Sequence, residues 1–130
     1  MRATGVDHRD RASDRLPELR ARDLTVSPST TASARAATGG DVGGIDVAEL
    51  HGPFTHQELI LREAIGLSDA TTINPSGGPL SGNPMFSAGL ERIGYAAKAI
   101  MDGNAGRTLA HATSGAVLQQ NLVAVLEGRN

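Results

Sequence analysis

The sequence contains no cysteine, which excludes a disulfide framework, a thiolate metal site and a nucleophilic thiol within this chain. Aromatic residues are nearly absent: two Phe, one Tyr and no Trp. A core must then be assembled from Leu, Ile, Val and Ala, residues that fill space only when the elements approach closely. A formal charge of -2 supplies no strong field of one sign, so neither nucleic acid nor an anionic membrane surface is indicated as a partner. No apolar run approaches the roughly 20 residues of a membrane-spanning helix. The first residues lack the apolar core of a secretory signal, so a cytoplasmic location is the expectation. HExxH, P-loop and GxGxxG fingerprints are missing too, and neither a metal nor a bound cofactor is expected.

What is present suits one domain of 130 residues with 39% hydrophobic content and 16 Gly gathered mostly in loops. Residues 1–24 carry six Arg and five acids and read as a poorly ordered arm, with a possible edge strand at Ala3 to Val6. The domain proper is expected over 25–130. Ser27 and Pro28 suit the start of a helix that Gly39-Gly40 ends. Ile45 to Leu50 reads as a short strand. Thr55 and Glu58 fit a capping box, and Phe54 with Leu59 a hydrophobic staple, for a helix stopping at Gly66. Arg107 to Ala112 and Asn121 to Leu126 read as closing strands on either side of a Ser114-Gly115 turn. The order predicts an α/β fold, a layered mixed sheet with packed helices.

The stretch from Ile73 to Met101 organises the rest. It opens with Asn74-Pro75, Gly77-Gly78 and Gly82-Asn83-Pro84, then turns into a helix with Phe86, Leu90, Ile93, Ala97 and Ile100 on one stripe. Asn83 suits the N-cap and Pro84 the first helical position, and the stripe is expected to be buried. Such a loop serves an anion or oxyanion, or is simply a tight lead into a helix. Three polar residues stand where strands or loops end: His51, Asn83 and His111. In open α/β sheets, sites form at the carboxyl ends of strands. A histidine there can exchange protons near neutral pH, while an asparagine can orient a carbonyl. On local chemistry alone each histidine reads more readily as a satisfied, partly buried polar residue. His56, in the first turn of its helix, is expected to be exposed.

Three motifs resemble the C-terminal half of thiolases, of the sterol-carrier-protein X or lipid-transfer type. Val47 to Phe54 resembles the strand that ends there in His-Asp-Cys-Phe. Asn74-Pro75-Ser76-Gly77-Gly78 through Gly82-Asn83-Pro84 resembles Asn-Pro-Ser-Gly-Gly leading to Gly-His-Pro. Leu109 to Gly115 is similar to the last two strands. The resemblance runs from about Arg22 to Gly128. It implies the C-terminal domain of an acyl-CoA acyltransferase, of acetyl-CoA acetyltransferase type in lipid metabolism, with a coenzyme A thioester as substrate. It also implies oxyanion holes for enolate and tetrahedral charge. By position, His51, Asn83 and His111 would be catalytic, and Phe54, Gly77, Gly78 and Gly82 would line the substrate site.

The departures are chemical. Nucleophile and acid/base thiol are both missing, Gly52-Pro53 replaces Asp-Cys, and Asn83 replaces a histidine, losing a base. Classical condensation by this chain alone is therefore not expected. The resemblance implies a partner, either an N-terminal thiolase half or another copy or chain in an oligomer. A non-catalytic acyl-CoA or lipid-binding assembly module, or a lipid carrier, is the alternative.

Overall fold

The computed structural model describes residues 23–115 and 118–128; the arm to residue 22, with the expected strand at Ala3 to Val6, lies outside them. Eight elements follow one another: α1 (Pro28–Thr38), β1 (Val47–Glu49), α2 (Thr55–Ile65), β2 (Thr72–Ile73), α3 (Gly78–Ser81), α4 (Ala88–Met101), β3 (Arg107–Ser114) and β4 (Gln120–Glu127). The strands form one mixed sheet in the order β2-β1-β3-β4. β1 runs parallel to both β2 and β3, and β3 pairs antiparallel with β4 through the register His111 with Val123. The α/β class with a mixed sheet and packed helices is as the sequence order predicts.

Alternation along the strands separates the two faces. Ala48, Leu50 and Leu109 join Ala34 of α1 and Leu61 and Ile65 of α2 in the main core. Leu50, Leu61 and Leu109 are completely buried, each stabilising the fold by roughly 2 kcal/mol. The opposite face takes α4, where the Thr108 hydroxyl donates to the Ala96 carbonyl. Here the scarcity of aromatics has its consequence. A Cβ on Gly89 would lie 2.7 Å from that of Ala112, so α4 rests nearly backbone to backbone on β3.

That contact corrects the stripe expected of α4. Its buried residues are Ala88, Arg92 and Ala96, while Phe86 and Leu90 are 101% and 73% exposed and Ile93 is only half-buried. Small residues at four-residue spacing let the helix approach the sheet, and the larger side chains turn outward. The helix also begins at Ala88 with Ser87 as its cap, not at Asn83 and Pro84; a turn at 85–87 intervenes. For α2 the cap residue is Phe54, and Thr55 makes no capping bond. Glu58 instead accepts from the Asn74 amide at 2.6 Å. Phe54 and Leu59 are both exposed, so no staple is buried; the Phe54 ring stacks on His56.

Candidate active site

The parallel strands β1, β2 and β3 end at one edge of the sheet, and the loop after β2 is fastened across that edge. Asn74 holds it first. Its backbone N–H donates to Ala48, its side-chain oxygen accepts from the Leu50 N–H at 2.6 Å, and it sits at φ 47, a conformation asparagine tolerates better than most residues. Gly78, at φ 57, is packed so tightly that a Cβ would come 2.8 Å from the Asn74 side chain. Gly77 is crowded likewise by Ser81. Gly82 is extended and open, so only two of the three glycines are required by their surroundings.

Ser76 makes the second fastening. Its N–H and hydroxyl both donate to the Glu49 carboxylate, the hydroxyl at 2.7 Å. Arg92 of α4 reaches the same carboxylate at 3.0 Å and also donates to the Ser76 hydroxyl. Glu49 and Arg92 are 1% and 2% exposed. The guanidinium lies 5.2 Å over the Tyr95 ring. A buried ion pair with this many hydrogen bonds satisfies the carboxylate, and it ties β1, the loop and α4 together.

His51 follows β1 by two residues and is half-buried. The Thr113 N–H of β3 donates to its Nδ1 at 3.3 Å. In the neutral ring the proton is then on Nε2. Burial pushes the His51 pKa below the ordinary histidine value, the Asn83 side chain opposes that shift as a hydrogen-bonding neighbour, and the positive charge of Arg92 adds to it. With Nδ1 taken by Thr113, Nε2 is the nitrogen left to face Asn83. Two of the three residues expected to converge are thus adjacent.

His111 is placed differently. It is completely buried on the α1 side of β3, and its Nε2 lies 2.8 Å from Asn121 Oδ1. Burial drives its pKa down to about 4, against the hydrogen bond to Asn121, and the charge of His51 adds to the depression. The two histidines therefore sense each other, although the cluster around His111 belongs to β4 and α1. Among the described residues its Nδ1, buried, has no hydrogen-bond partner.

Phe54 and His56 lie on the surface at the start of α2. A hollow of about 220 Å³ is lined by Thr113, Ser114, Gln120 and Asn121 at the β3–β4 end of the site. A larger cleft of about 790 Å³ lies away from the histidines, between α1 and α2, lined mainly by Val26, Pro28, Ala32, Ile60 and Ala64. No group of three or more His, Asp or Glu among the described residues is arranged to hold a metal ion. Compared with known protein families, curated proteins and solved structures, the chain matches none.

Sequence reasoning passed over Glu49, Ser76, Arg92 and Asn121. Two of them carried a signal. Glu49 is an acid inside an apolar four-residue run, Val47-Ala48-Glu49-Leu50. Arg92 sits midway between Ala88 and Ala96, on a row whose small residues mark a close contact.

Proposed function

We propose that this chain is the C-terminal part of a thiolase-like acyl-CoA acyltransferase, active only with a cysteine supplied by another polypeptide. The observation that carries the reading is the placing of His51 at the carboxyl end of β1, its Nδ1 held by the Thr113 N–H and the Asn83 side chain beside it. A neutral imidazole and a carboxamide can each donate to one oxygen, as an enolate or tetrahedral oxyanion requires. The acylated thiol would come from the partner, because this chain has none. Oxyanion stabilisation, and not proton transfer by Asn83, is then the contribution of this part. The motif resemblance supplies the substrate class, a coenzyme A thioester.

A second reading is a non-catalytic acyl-chain-binding or assembly module. The apolar cleft between α1 and α2 favours it, being within the size range of small-molecule sites.

The test is turnover of acetyl-CoA and longer acyl-CoA thioesters by the chain together with a cysteine-bearing thiolase N-terminal half. His51→Ala and Asn83→Ala should each lower the rate by on the order of 10²-fold. His56→Ala should leave it unchanged, and the chain alone should be inert. Turnover indifferent to His51, or none with any supplied half, overturns the acyltransferase reading. Acyl-CoA binding that survives His51→Ala but fails on Ala32→Trp, which fills the cleft, would establish the second.

A further inference from the structure

The hydrogen bonds around Asn121 can be assigned atom by atom. Asn121 Nδ2 donates to the Leu118 carbonyl at 2.9 Å, which fixes which end of the amide is nitrogen. It also donates to Ser29 Oγ, which in turn donates its own proton to the Leu118 carbonyl. Both amide hydrogens are therefore committed, and Oδ1 can only accept. His111 Nε2, 2.8 Å away, must then be the donor. Neutral His111 is consequently the Nε2–H tautomer, and its Nδ1 is a bare lone pair.

That lone pair is buried and has no partner among the described residues. A buried acceptor without a donor is unfavourable, and native folds tolerate few of them. The surroundings are nonetheless firmly built. Leu118, 4% exposed, is held at φ 56, a left-handed conformation that a leucine rarely adopts. Its carbonyl is gripped by two side chains, and the Ser33 hydroxyl adds a bond to the Asn121 carbonyl. Ser29 and Ser33 of α1, Asn121 of β4 and the Leu118 carbonyl thus converge to orient one ring of β3.

We propose that Asn121 is a positioning residue that locks His111 in the Nε2–H form, so that Nδ1 stands as the acceptor for an O–H or N–H of a bound small molecule. The inference stands apart from the acyl-CoA assignment, which rests on His51 and Asn83. His51 complements it: its Nδ1 is occupied by Thr113 and its Nε2 carries the proton. The two rings offer opposite faces of imidazole chemistry, a donor at His51 and an acceptor at His111.

The tautomer can be read directly by long-range nitrogen–proton correlation NMR on the full chain labelled with ¹⁵N. At neutral pH, His111 should show a protonated Nε2 and a bare Nδ1. Asn121→Asp keeps an acceptor in place, so the same tautomer should persist and the ring should titrate at higher pH. Asn121→Leu removes the acceptor, and the excess of the Nε2–H form should fall by roughly five-fold. Adding ethanol or acetamide as minimal donors should shift the Nδ1 signal of the wild type and leave that of His56 unmoved. A protonated Nδ1 in the wild type, or a folded Asn121→Leu protein with an unchanged tautomer, overturns the positioning role. An Nδ1 signal indifferent to both probes overturns the binding role. The expected tautomer together with absent acyl-CoA turnover would keep this inference and remove the acyltransferase reading.

Discussion

Two buried polar clusters sit on opposite faces of the same sheet, and they are built on different principles. On the α4 face, Glu49, Ser76 and Arg92 form a charged set in which both carboxylate oxygens are bonded. On the α1 face, His111, Asn121 and Ser29 form a neutral set that ends in an unmet acceptor. The charged set satisfies its carboxylate and fastens the loop after β2, although Arg92 Nε is itself buried without a partner among the described residues. The neutral set leaves an acceptor open, His111 Nδ1, where the charged set leaves a donor. His51 feels one set and acts on the other: burial lowers its pKa, the charge of Arg92 adds to that, and its own charge adds to the depression at His111.

Breaking the charged set should give the largest effect. Arg92→Met leaves Glu49 buried without its cation, and removing one partner of a buried pair costs about 3–5 kcal/mol. That is enough to unfold a marginal domain. The double variant Glu49→Leu/Arg92→Met should recover most of the loss, because it leaves no stranded charge. Denaturant unfolding of the three proteins checks this. A single variant within about 1 kcal/mol of wild type would show the pair to be dispensable.

The neutral set should respond to acid. Folded His111 takes a proton only near pH 4, whereas the unfolded chain takes one near 6.5. Between those values the unfolded state binds more protons, so stability falls as pH falls. Nothing is lost above about 6.5, and roughly 3 kcal/mol is lost by pH 4. His51, shifted in the same direction, adds to the same limb. His111→Gln should flatten the curve of unfolding free energy across that window. A wild-type curve level from pH 7 to 4 would contradict the buried neutral ring.

How far this contrast could be read from the sequence depends on what each feature rests on. The layer order followed from local signals: Pro28, Gly39, Gly66 and the strand-like runs near Val47, Arg107 and Asn121 each act within a few residues. His51 and Asn83 were legible as polar residues at the edges of elements. The clusters were not, because Glu49 meets Arg92 across 43 residues and Asn121 meets Ser29 across 92. Periodicity also misassigned α4. By pattern alone its strongest apolar stripe faces the sheet, but the contact with β3 admits only small side chains, so Ala88 and Ala96 turn inward with Arg92 between them.

That reversal gives the smallest expected effect on stability. Phe86 is wholly exposed and Leu90 nearly so, whereas the inward row of α4 is closely packed. Phe86→Ser removes no buried surface, and surface changes of this kind stay within about 0.5 kcal/mol. Its influence should fall on association instead. Leu80, Met85, Phe86 and Leu90 are all exposed in one stretch of chain, and apolar groups gathered at a surface favour contact with another one. In sedimentation the wild type should self-associate or bind a cysteine-bearing half more strongly than Phe86→Ser/Leu90→Ser, at equal unfolding free energy. A stability loss as large as that of Arg92→Met would mean that this row, and not the Arg92 row, holds α4 in place.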